Sequence, residues 1–120
     1  MSTFAESIHP YVTKELECAR WAERCGDPDL AFHHLERAHV LGQSSTREHV
    51  RAHWAMFLWG VRRRQLREVT GQVLRIVGAA TKTVFSLVPS GNTGGTNVSP
   101  FRRLPIAPEL QTIINEARAQ

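Results

Sequence analysis

The stretch from Asp27 to Glu48 constrains the fold more than any other part of the chain, because it spells two helix starts and one helix stop only a few residues apart. Asp27 followed by Pro28 is an N-cap with proline at the first helical position, where its missing N–H and fixed φ are tolerated. Leu30, Ala31, Leu35, Ala38 and Leu41 then recur at helical spacing as far as a stop at Gly42. Ser45-Thr46-Arg47-Glu48 has the pattern of a capping box, in which the serine side chain and the carboxylate three residues on satisfy each other's backbone N–H groups. A further helix therefore starts at Ser45. Two helices joined by about three residues run antiparallel as neighbours, so the chain contains at least one helical hairpin.

The remaining segments extend this into an all-α chain. Ile8, Val12, Leu16, Ala19 and Ala22 predict a first helix over 9–25, with Pro10 in its first turn and a stop near Gly26; the second spans 28–41. The third, over 46–63, has unusually aromatic apolar content (Trp54, Phe57, Trp59), joined by Val50, Met56, Leu58 and Val61, which predicts a place at the centre of the core. Leu66, Val69, Val73, Leu74 and Val77 define a fourth over 65–84, weakened by Gly71 and Gly78. A long loop rich in Gly, Ser, Asn, Thr and Pro covers 89–107, with Val98, Phe101, Leu104 and Ile106 spaced to pin it onto the helices. Pro108 opens a short last helix, 108–118, with Leu110, Ile113, Ile114 and Ala117 facing inward.

Trp21-Ala22 recurs as Trp54-Ala55, Gly26 as Gly60 and Leu41-Gly42 as Val77-Gly78. That spacing resembles tetratricopeptide repeats, although two units are fewer than such arrays need. A chain of 120 residues, 42% hydrophobic, holds one core and is short for two. The expectation is a single domain over 1–120: a small helical bundle of two tetratricopeptide-like hairpins, a Gly-rich loop and a C-terminal helix.

Several function classes drop away. No secretory leader is legible, and the most apolar stretch, Val73 to Val88, is interrupted by Arg75 and Lys82 and falls short of the ~20 residues that cross a bilayer, so a cytoplasmic protein without a membrane span is expected. Cys18 and Cys25, two turns apart on one helix, are too distant for a disulfide and read as small, buried, reduced residues. The net charge of +4 owes much to Arg62, Arg63, Arg64 and Arg67, which suit a helix C-terminus; with no recognised motif beside them, nucleic acid is not an expected partner. No Ser or Cys nucleophile has a supporting His and acid, and a second Glu-x-x-His motif is missing, so an enzyme is not expected. The Pro89–Asn97 stretch lacks the Lys-Ser/Thr ending of a P-loop and reads as turn-making.

The positive chemical signal is histidine. Five of the six, His33, His34, His39, His49 and His53, lie within the second and third helices. Counted outward from the turn at Gln43-Ser44, His39 stands level with His49, and Glu36 or His34 level with His53, since each helix rises equally per residue. His49 and His53 are i, i+4 and share a face; Glu36 and His39 are i, i+3. Up to three imidazoles and a carboxylate could therefore converge, a donor set for zinc, iron or copper, and Met56 would add soft character favouring Cu(I). The candidate ligands are His39, His49 and His53 with Glu36 or Met56, and His34; His9 and His33 are left out. His49 also sits in the first turn of its helix, where the dipole disfavours imidazolium and keeps the ring in its ligating form. The competing reading is structural: histidines stacked on Trp54 or Trp59, or bonded to the carbonyls that end the second helix.

The segment His34-Leu35-Glu36-Arg37-Ala38-His39-Val40-Leu41-Gly42-Gln43, then His49 with His53-Trp54 and Met56, and the loop Gly91-Asn92-Thr93-Gly94-Gly95 before Val98-Ser99, together resemble a small bacterial family known as domain of unknown function 3703. The likeness spans nearly the whole chain. It implies no established activity; family members are often encoded beside heavy-metal resistance and transport genes, which implies a metal-related role and ties the histidines to the loop. Arg102-Arg103 depart from the low charge that the resemblance implies after that loop. The expected function is that of a metal-binding accessory protein for zinc or copper, with a protein partner or a homodimer as further possibilities. The alternative is a non-catalytic tetratricopeptide-like interaction module with structural histidines.

Overall fold

The first helix starts well before its apolar periodicity predicts. In the computed structural model, which describes residues 2–81 and 105–119, α1 spans Phe4–Arg24. Its start is fixed by a capping box absent from the expectation: Thr3 Oγ1 accepts from the Glu6 N–H (3.2 Å), and Glu6 Oε2 accepts from the Thr3 N–H (2.9 Å). Pro10 therefore lies inside the helix and not in its first turn. α1 ends in a Schellman motif, with the Gly26 N–H bonded to the Glu23 carbonyl and the Asp27 N–H to the Ala22 carbonyl. Gly26 has φ +82°, a conformation glycine adopts without a Cβ penalty.

Asp27 Oδ1 caps α2 (Pro28–Gly42) by accepting from the Leu30 N–H at 3.0 Å. Gly42 is the last helical residue, and its role is close approach: a Cβ there would lie 2.7 Å from the Glu48 Cβ. Ser45 caps α3 (Thr46–Arg62), but the reciprocal half of the predicted capping box is replaced. The Glu48 carboxylate turns to α1 instead, meeting His9 Nδ1 at 2.7 Å, and also pairs with Arg51 at 3.0 Å. A second Schellman motif ends α3, with Arg64 at φ 55° in the place Gly26 holds in the first. The matched turn positions are thus Gly26 and Arg64, and the expected echo of Gly26 at Gly60 fails: Gly60 lies within α3 against Val69 of α4. α4 spans Leu66–Thr81 and α5 spans Pro108–Ala119. The expected helical residues 82–84 and loop residues 89–104, including Gly91–Gly95, Val98, Phe101 and Leu104, lie outside the described residues. Pro105 to Ala107 are irregular, and Ile106 packs on the core.

The result is an all-α bundle in which α1 packs on α2, α2 on α3 and α3 on α4, with α5 against α1 and α2. Its core joins Ile8, Val12, Leu16 and Ala19 of α1 to Ala31, Leu35, Ala38 and Leu41 of α2, Ala52 and Met56 of α3, and Leu110, Ile114 and Ala117 of α5. Ion pairs fasten the rims: Glu15 holds both His34 (2.7 Å) and Arg37 (2.9 Å), and Arg62 grips Glu23 through two bonds of 2.7 and 2.9 Å.

Two expectations about faces fail. The aromatic residues of α3 are not its core: Trp54 is exposed, Phe57 stacks on it, and Trp59 is half-buried against Phe32, donating its indole N–H to the Pro28 carbonyl. Trp59 instead flanks the core, and α3 turns Glu48, His49, Ala52, His53, Met56 and Gly60 inward. On α4 the apolar stripe points out, with Val73, Leu74 and Val77 all exposed, while Glu68 and Gln72 are buried. The thiols also differ from expectation, since Cys25 is exposed as the C-cap of α1 and Cys18 only half-buried; both are free. Among the described residues, no helix is long and apolar enough to cross a membrane.

Candidate metal centre

The short turn between α2 and α3 brings the last turn of one helix beside the first turns of the next, and so places His39 against His49. His53 follows one turn along α3, on the same face. The three imidazoles are 1–2% exposed, and their ring centroids are 4.6–4.7 Å apart in every pairing. Nε2 of His49 lies 2.9 Å from Nε2 of His39 and 3.0 Å from Nε2 of His53. Each ring offers a ligand atom, and these atoms all lie within 4.8 Å of one another.

The remaining candidates are elsewhere. His34 precedes His39 by five residues, about 140° around the helix, and faces α1, where its Nδ1 meets Glu15. Glu36, about 60° to one side, lines a separate cleft of about 320 Å³ with Asp29, Phe32, Trp59 and Glu68. Equal height along antiparallel helices is thus insufficient; the angle around each axis decides, and His39 serves both His49 and His53. Met56 is fully buried in the core one turn beyond His53.

Sequence reasoning missed Gln72. Its Nε2 donates to Glu68 Oε1 at 2.9 Å, which turns its carbonyl oxygen toward His53 Nδ1, the atom it bonds. A carbonyl only accepts, so Nδ1 of His53 carries the proton and Nε2 presents its lone pair to the other two rings. Orientation of a ligating imidazole through its second nitrogen is the usual support for a metal-bound histidine. The signal was in the sequence as the polar series Glu68, Gln72 and Arg75 on α4, overshadowed by the apolar stripe beside it.

Burial holds the His49 and His53 rings neutral. It pushes His49 down to about 4 and His53 to about 3, the latter helped by repulsion from His49 and Arg75 and opposed by the Gln72 hydrogen bond. A neutral imidazole nitrogen has one in-plane valence, a proton or a lone pair, so Nε2 of His49 can make one good hydrogen bond although two ring nitrogens lie within 3.0 Å. A cation at the centre would engage a lone pair from each of the three rings. An ion about 2.0 Å from each nitrogen sets them about 3.3 Å apart in tetrahedral geometry, an opening of a few tenths of an ångström.

No curated protein and no solved structure matches the chain. A family model described as a protein of unknown function, DUF3703, matches residues 6–114, and with that span, which takes in all three histidines and Gln72, the chain belongs to the DUF3703 family.

Proposed function

We propose that this protein binds one transition-metal ion through Nε2 of His39, His49 and His53 and acts as an accessory protein that sequesters, senses or delivers it. The observation that carries this reading is the convergence of three buried ring nitrogens, one with its lone pair set by the Glu68–Gln72 pair. Zinc and copper both accept imidazole donors. In this role the protein works in the cytoplasm, where the free thiols of Cys18 and Cys25 stay reduced. Glu36, His34 and Met56 are not part of the proposed ligand set.

Elemental analysis of untagged protein purified without chelators tests this directly. The parent carries close to one ion per chain, and the His49→Ala/His53→Ala variant carries none while remaining helical by circular dichroism. A parent that holds no metal and gains none on titration ends the proposal. A second reading, a non-catalytic helix-hairpin module that binds a protein partner or a second copy of itself, draws on the exposed stripe Val73, Leu74 and Val77. Under it the double variant loses stability with no change in metal content.

A further inference from the structure

The donor set and its surroundings bear on which ion the triad selects, a question that rests on the metal-binding reading above. All three donor groups are imidazoles, which bring no negative charge, and no carboxylate or thiolate joins the cluster among the described residues. Two acids on the adjoining helices are already engaged. Glu48, beside His49 in sequence, is fully buried and pairs with Arg51 and His9. Glu68 stands one residue removed, behind the uncharged amide of Gln72. Arg75 of α4 acts on His53 as a repelling charge.

A cation entering this centre keeps its full charge in a poorly solvated interior. The cost of that charge rises with its square, so a dication is penalised about fourfold more than a monovalent ion in the same place. Zn(II) also takes four ligands, with solvent or an anion completing three histidines, whereas these rings are 1–2% exposed. Cu(I) is monovalent, soft and content with few ligands.

We propose that the His39–His49–His53 centre is selective for Cu(I) over Zn(II), and that the neutral amide of Gln72, standing where many zinc sites have a carboxylate, is a positioning residue that sets this preference. A carboxylate in its place makes His53 more basic and lowers the cost of a dication.

The experiment is an anaerobic titration of the metal-free full-length protein with Cu(I) against the chromophore bicinchoninate, repeated with Zn(II) in competition. The wild type holds one Cu(I) per chain, and equimolar Zn(II) does not displace it. Gln72→Glu narrows the Cu(I)-over-Zn(II) preference by at least about tenfold, mainly through tighter zinc binding. Zn(II) displacing Cu(I) from the wild type overturns the selectivity while leaving the three-histidine site standing. An unchanged preference in a folded Gln72→Glu protein overturns the role given to Gln72. Retention of neither ion by the wild type overturns both the selectivity and the site beneath it.

Discussion

The seam between α1 and α2 and the one where α3 meets α2 and α4 are built on opposite plans. The first buries Val12, Leu16 and Ala19 with Ala31, Leu35 and Ala38, and keeps its charges at the rim, as in the Glu15–His34–Arg37 cluster. The second buries His39, His49, His53, Gln72, Glu48 and Glu68, beside Ala52 and Met56. Apolar burial stabilises at roughly 25 cal/mol per Å², whereas each buried polar group costs about 1–3 kcal/mol unless bonded. The first seam explains why the chain folds; the second is weaker as packing and makes chemical sense as a place for an ion.

Acid probes the contrast most strongly. His49 and His53 have folded values of about 4 and 3 against an ordinary 6.5, so between about 6.5 and 4 the unfolded chain takes up protons that the native metal-free protein does not. Their contribution is fully present above pH 6.5 and is lost as pH falls through that window, by several kcal/mol for the pair. Urea unfolding of metal-free protein across pH 7.5 to 4 should show it, and the slope should flatten in the His49→Ala/His53→Ala variant. An equal slope in both would place the acid sensitivity in the other seam.

A smaller effect comes from the apolar side. Leu35→Ala, at a side chain 4% exposed, should cost about 3 kcal/mol in denaturant unfolding yet leave the metal content of the folded protein unchanged. A loss of metal at full folding would show that the two seams are coupled.

The two Schellman turns give the smallest effect. Arg64 occupies with φ 55° the role that Gly26 fills with φ +82°. Arg64→Gly should stabilise by about 1 kcal/mol and Gly26→Ala should destabilise by a similar amount, both read as shifts in the urea midpoint. Equal and negligible shifts would mean that the left-handed strain is relieved elsewhere.

The parts of the molecule legible in its sequence are those governed by local rules. Asp27-Pro28 starts α2 and Ser45 starts α3 because a side-chain oxygen within three residues decides each start, and the short turn then brings His39 to His49. Thr3–Glu6 obeys the same rule and was overlooked because Pro10 offered a competing start. The facing of α4 was not legible. Its apolar stripe matches a core pattern, and the partner on α3, the buried His53 whose Nδ1 finds its oxygen acceptor in Gln72, goes with Gln72 inward and Val73, Leu74 and Val77 outward. Glu36 and His34 were misplaced because height along a helix is easily counted, whereas the angle at which two helices face each other depends on the whole bundle.

Gly42, where α2 presses its bare backbone against Glu48, carries a consequence for timing. With no side chain between them the ends of α2 and α3 cannot separate without losing that contact, so the three rings are gathered by the fold and do not wait for an ion to gather them. Under the metal-binding proposal, loading would then be limited by how quickly the arriving ion sheds its own escort of water or carrier ligands, and release by how quickly a competing acceptor can reach a sealed nitrogen. Such a site would hold its ion through slow exit more than through a large rearrangement on entry.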